Sequence, residues 1–281
     1  MADPITPWKK ALQSGAAGFG AMGVQVTTLM WLRTTVNYQY RHGGTGRAAL
    51  RSMYRAGGVR RLYSGYAAAM LQAPLARFGD VASYTAVQQR LGDSCPVWQS
   101  TGLASLASAS WRLGLMPLDS LKTSMQVHGG RAGLGLLRDK VRSSGPGVLF
   151  HGYLGTASAS MLGYYPWFFT FGWLDRQLPV PGEDAGVLAP LARHAGMGLA
   201  ASAASDTVSN AARVLKTYRQ TAPVPVPYPA AVRQIVRTEG WRGLLGRGLG
   251  TKLVSNGIQS ATFAVAWKYL ERRLGAEAAE Q

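Results

Sequence analysis

Cysteine is almost missing from this chain: Cys95 stands alone. One thiol excludes a disulfide framework and a Cys-rich metal centre. Acidic residues are scarce too, 13 Asp and Glu against 30 Lys and Arg, for a net charge of +17. Charged residues total 15%, below the roughly 25% of soluble domains. A nucleic-acid binder clusters its cations on a polar domain. Here they sit at the edges of long, nearly uncharged segments, which excludes nucleic acid in favour of an anionic membrane surface. The opening "MADPITPWKK" has neither a basic region leading into an apolar one nor an Arg-rich transit pattern, which predicts an internal address. The four histidines (His42, His128, His151, His194) fall at helix ends and loops without metal spacing. "GFGAMG" lacks the preceding strand of a dinucleotide fold, and "GRGLGTK" lacks the glycine a phosphate loop needs before Lys252. No nucleophile–base arrangement stands out, so neither an enzyme, a metal nor a cofactor is expected.

What the chain does have is one unit written three times. A cation ends a long apolar segment, then come a Gly-rich turn, a short basic amphipathic stretch and a further glycine. The copies are "TTLMWLRTTVNYQYRHGG" with "RRLYSGY", "MPLDSLKTSMQVHGG" with "GVLFHGY", and "NAARVLKTYRQ" with "GLLGRGL". The cations Arg33, Lys122 and Lys216 precede Gly65, Gly152 and Gly248 by 32, 30 and 32 residues. The unit predicts an all-α membrane protein with one domain over 1–281 and repeats over 8–92, 97–179 and 187–274. Six long helices are expected, near 8–38, 67–91, 98–127, 153–178, 188–220 and 249–274. Each is long enough to cross about 30 Å of hydrocarbon. None is uniformly apolar, so one face of each should avoid lipid. The basic stretches between helix pairs read as interfacial helices on one membrane face.

Three repeats of about 90 residues with "PLDSLK" and "FHG" resemble the mitochondrial carrier family, whose signature P-x-[DE]-x-x-[KR] ends each odd helix. The resemblance implies six transmembrane helices in three pseudo-symmetric repeats and three matrix-side amphipathic helices. It also implies an inner-membrane location with both termini in the intermembrane space. In that family the prolines kink the odd helices and each carboxylate pairs with a neighbouring repeat's cation, closing a gate. Pro117, Asp119 and Lys122 keep the motif. Around Arg33 the proline and acid slots hold Thr28 and Met30; around Lys216 they hold Ala211 and Arg213. The ring would then contain four cations and one anion, making at most one or two ion pairs. Pro117 removes a backbone donor and presses on the preceding turn, so helix three should kink more than helices one and five. Asp119 is expected to meet Arg33 or Lys216. The second gate motif of the even helices is lost: "YTAVQ", "FGWLD" and "WKYLE" lack its charge pattern.

Charges inside a membrane segment are expensive and default to function. Seven residues before Asp119 and Arg213 stand Arg112 and Asp206, a pair that could grip an anion or zwitterion or simply join two repeats. Arg77 and Asp80 share a face of helix two, and Lys252, Asn256 and Gln259 form a polar stripe on helix six. The family's usual contact positions fall at Leu71 or Gln72 and at Gly163 or Tyr164. Its cardiolipin sites would fall at Gly65, Gly152 and Gly248, helped by Arg61 and Arg247, where helix N-termini offer N–H groups to phosphate. Two functions follow. One is an alternating-access carrier of a small anionic or zwitterionic solute. The other is a transport-deficient accessory subunit of a respiratory or ATP-synthase assembly.

Overall fold

The computed structural model describes residues 7–91, 97–182 and 188–259. Helix α1 (Pro7–His42) leads to the short α2 (Gly46–Leu62) and to α3 (Tyr66–Leu91). The second unit is α4 (Val97–Gly114), α5 (Met116–His128), α6 (Gly130–Ser144), a 3-10 turn at Pro146–Phe150, and α7 (Tyr153–Gln177). The third is α8 (Leu188–Thr221), α9 (Tyr228–Gly246) and α10, helical from 249 to 259, where the described residues end. The later part of the sixth expected helix, with "WKYLE", lies outside them.

The odd helices differ as their sequences do. α1 and α8 run unbroken for 36 and 34 residues. The helix-three segment is divided at Leu115, one residue before Met116 opens α5 with Pro117 at its start. Proline has no N–H to give Leu113, so the ladder resumes only when the Asp119 N–H donates to the Leu115 carbonyl at 3.0 Å. Thr28 and Ala211 leave their ladders intact.

Each short helix breaks at a glycine with positive φ: Gly58 (61°), Gly145 (80°) and Gly240 (69°). These precede Gly65, Gly152 and Gly248 by seven, seven and eight residues. Only glycine turns the chain there without a Cβ clash, so the repeat is written into backbone geometry as well as charge.

The odd helices lean on one another near their C-terminal ends. Val36 and Tyr40 of α1 pack with Val214 and Tyr218 of α8 and with Ala231, Ile235 and Leu244 of α9. Val26 and Met30 of α1 pack with Ala69 and Ala73 of α3. α7 turns a large apolar face outward: Tyr165 is 76% exposed, and Met161, Phe169 and Trp173 are exposed beside it. Among the described residues, no helix is long and apolar enough to cross a membrane. The expected long segments are therefore helical where described, but less apolar than six plain spans would be. The reason is visible in the helices that surround the centre, which carry Arg, Lys, Gln and Ser on the face turned inward.

Candidate functional site

The centre is a cavity of about 350 Å³ bordered by residues from all three repeats. Six cations line it: Arg33, Arg112, Lys122, Arg213, Lys216 and Lys252. Two carboxylates, Asp119 and Asp206, stand behind that lining, both buried.

Asp119 is 5% exposed and holds two lysines. Its Oδ1 accepts from Lys122 Nζ at 2.8 Å, three residues along α5, and its Oδ2 pairs with Lys216 Nζ of α8 at 2.8 Å. Gln220 Nε2 donates to Oδ2 at 3.2 Å, and Lys122 Nζ donates to Gln72 Oε1 of α3 at 3.0 Å. A single carboxylate thus ties the second and third repeats, and through Lys122 the first. Of the two expected partners Lys216 is taken and Arg33 is not. Arg33 instead donates to Gln25 at 3.2 Å and Gln259 at 2.9 Å, and meets no carboxylate among the described residues.

The cation in the acid slot of the third repeat finds a carboxylate on its own helix. Arg213 reaches back two turns to Asp206, which also accepts from Asn256. Asn256 in turn accepts from Lys252 Nζ at 2.9 Å. So Asp206, Asn256 and Lys252 form one string between α8 and α10, with Arg213 at its head. Arg112 lines the same cavity from α4 and donates to Ser160 Oγ of α7 at 3.2 Å. Lys252, Gln259, Arg112 and Gln72 are thus brought to the cavity, while Gly163 packs against Ser205 of α8. The side chains of Arg77 and Asp80 lie outside the described residues. In the lost second gate, Asp175 at the end of α7 pairs with Arg193 of α8 at 2.8 Å.

Below the cavity the odd helices end, and their last carbonyls have no partner within the helix. Each end is capped by a cation from another repeat. Arg61 donates to the carbonyls of Gln126 and Val127 in α5. Lys140 of α6 donates to Arg219 and Gln220 in α8, both at 3.2 Å. Arg247 donates to Tyr40 and Arg41 in α1 at 3.4 and 3.2 Å, and is anchored by Glu239 at 2.8 Å. The three caps run in a circle, repeat one onto two, two onto three, three onto one. Positive charge at a helix C-terminus also meets the negative end of the macrodipole. Of the two arginines expected near lipid phosphate, Arg247 is buried in its cap, and Arg61 spends two of its N–H groups on α5 while still bordering the groove between α2 and α6.

The repeat glycines take part in the same closure. A Cβ at Gly65 would fall 3.1 Å from the Lys122 carbonyl and 3.2 Å from Met125 Cβ; Gly152 abuts Gln220, and Gly248 abuts Tyr40. These positions are glycine because the next repeat's odd helix is in contact. Gly152 begins α7 with φ −89°, unlike Gly65 and Gly248 at +82° and +66°, so the three turns are not equivalent.

Two features escaped the sequence reading. Asn37, Gln126 and Gln220 each follow a ring cation by four residues. Asn37 donates to Gln126, and Gln220 braces Asp119; an amide one turn after each cation was the available signal. Lys140 is the other. It is 1% exposed, yet "RDKVRSSG" looks like a solvated face. Burial, then the charges of Arg41 and Arg219, pushes its ammonium down from 10.5 to about 8.

A family model described as mitochondrial carrier protein matches residues 188–277, the span of the third repeat. No curated protein matches the chain. The two other repeats bear the same cation, breaking glycine and cap as the matched one, so the likeness to a mitochondrial carrier protein, matched in sequence over the third repeat, is echoed in the pattern of the first two.

Proposed function

We propose that this protein carries a small anionic solute across the mitochondrial inner membrane by alternating access to the central cavity. The match of the third repeat to a mitochondrial carrier protein supports a multi-pass inner-membrane transporter rather than an enzyme. The anion follows from the charge count: among the described residues six cations line the cavity and two carboxylates offset them, a surplus of four. Such a surplus in a site away from bulk water favours a ligand of opposite sign. The low apolarity of the helices fits this reading, because a helix that lines an aqueous path keeps one polar face. The apolar side chains on the outside of α7 suit lipid. In this reading α2, α6 and α9 lie on the matrix side and both termini in the intermembrane space.

The matrix-side gate is asymmetric. It closes through Asp119 with Lys216 and the amide pair of Asn37 with Gln126, while Arg213 and Asp206 pair within α8. Breaking it costs fewer ion pairs than a ring of three. A phosphate-bearing lipid such as cardiolipin fits the groove between α2 and α6, where Arg60, Arg61 and Arg131 surround Gly57 and Gly130.

The test is exchange of radiolabelled anions by the purified chain in cardiolipin-containing proteoliposomes. Uptake of an anion that stops on Asp119→Asn supports the reading. Absence of any exchange, with co-migration of the native protein in a respiratory or ATP-synthase complex, would select the accessory role instead.

A further inference from the structure

One wall of the cavity has cations that the fold leaves under-compensated. Arg33 of α1, Arg213 of α8 and Lys252 of α10 all border it, with Asp206 as their one carboxylate among the described residues. The charges of Arg33 and Arg213 both bear on Lys252. Tyr40 borders the same wall from α1. Its hydroxyl is buried and has no hydrogen-bond partner among the described residues, although the Arg213 guanidinium lies close by. Leaving a buried hydroxyl unpaired costs free energy. So does gathering three cations on one carboxylate. Both costs vanish if a ligand with acceptor oxygens and two negative charges sits there.

The place is telling. Arg213 occupies the slot where a carboxylate would have closed this joint between the third and first repeats. We propose that the solute supplies that missing charge: a dianion bridges Arg33, Arg213 and Lys252, takes the Tyr40 O–H as a further donor, and closes the joint between repeats one and three as a counter-ion. This rests on the reading of the cavity as an anion site. It adds that the anion is divalent, a dicarboxylate or a phosphate ester, and that it stabilises the closed joint. A monoanion would leave one charge uncompensated. Arg213 donates through a planar fork that suits either a carboxylate or a phosphate.

The experiment is thermal unfolding of the purified full-length chain in detergent, with succinate, inorganic phosphate, acetate or chloride at matched ionic strength. Succinate or phosphate should raise the melting temperature with saturation, whereas acetate and chloride should not; which of the two acts identifies the carboxylate or the phosphate source. Arg213→Glu should raise the melting temperature of the ligand-free chain and abolish the dianion shift, because the protein now supplies the charge itself. Tyr40→Phe removes a hydroxyl that holds nothing, so the ligand-free chain should melt as wild type while dianion affinity falls about tenfold, the value of one hydrogen bond to a charged group. Equal shifts with acetate, or unchanged dianion binding by both variants, overturns the proposal. If proteoliposomes exchange a solute yet neither dianion shifts melting, the carrier reading survives and this inference falls. If dianions bind as described and nothing is exchanged, the inference stands and transport falls.

Discussion

Asp119→Asn removes one negative charge and almost no volume, so it isolates electrostatics. The carboxylate sits 2.8 Å from two ammonium groups, both largely buried, and takes a third hydrogen bond from Gln220. An amide keeps one acceptor oxygen and turns the other into a donor facing a lysine. Two positive groups are then left beside each other with no counter-charge. Removing one partner of a buried pair costs about 3–5 kcal/mol. At roughly 2–4 °C per kcal/mol for a chain of this size, the melting temperature should fall by ~6–20 °C. Arg33→Gln is the contrast. Arg33 holds two glutamine side chains and no carboxylate among the described residues, so its loss should cost no more than about 1 kcal/mol. The assay is thermal unfolding in detergent, with proteoliposome exchange alongside. Adding Lys216→Gln to Asp119→Asn should recover part of the loss, since one of the stranded charges goes. Asp119→Asn melting within ~2 °C of wild type, or Arg33→Gln falling as far as Asp119→Asn, would refute the reasoning from counter-charge.

Two further expectations concern the layer beneath the cavity. Lys140 titrates near 8 when folded and near 10.5 when unfolded, so the folded chain binds fewer protons between those values and stability should rise with pH across that window, flat below about 8. Melting curves from pH 7.5 to 10 should show wild type gaining on Lys140→Met, and parallel curves would count against the burial. Gly65→Ala should cost about 2–3 kcal/mol, because it meets both a positive φ and the α5 backbone, whereas Gly44→Ala, with φ +79° and nothing within 4 Å, should cost only about 1 kcal/mol.

The helix plan was legible because three cations and three glycines recur at fixed offsets and because apolar length fixes element length. Segments read at 67–91, 153–178 and 188–220 are found at Tyr66–Leu91, Tyr153–Gln177 and Leu188–Thr221. The break in helix three was legible because proline acts on its own helix. The caps were not. Whether Arg61, Lys140 or Arg247 faces lipid or a carbonyl depends on what the fold brings there from 65, 80 and 206 residues away. The fate of Arg213 was hidden for a similar reason. Its acid slot suggested a stray cation, but an arginine is long enough to reach two turns back to Asp206.

The symmetry that survives and the symmetry that is lost belong to different kinds of interaction. The breaking glycines, the glycines in contact with the next odd helix and the three cationic caps all act on backbone, and all three repeats keep them in a closed circle. Different residues even fill the cap, two arginines and a lysine, from positions that do not correspond along the repeats. Backbone carbonyls at a helix end are the same in any sequence, so any cation that reaches them will serve. The side chains around the cavity are unequal: one joint has Asp119 with two lysines, one has an amide pair, and one has three cations with a single aspartate. A site built of three equal joints would favour a ligand of matching symmetry, whereas an asymmetric charge pattern fixes the orientation of an asymmetric anion. The threefold scaffold therefore holds the helices in place, and the departures from it are where a solute would be told apart from its competitors.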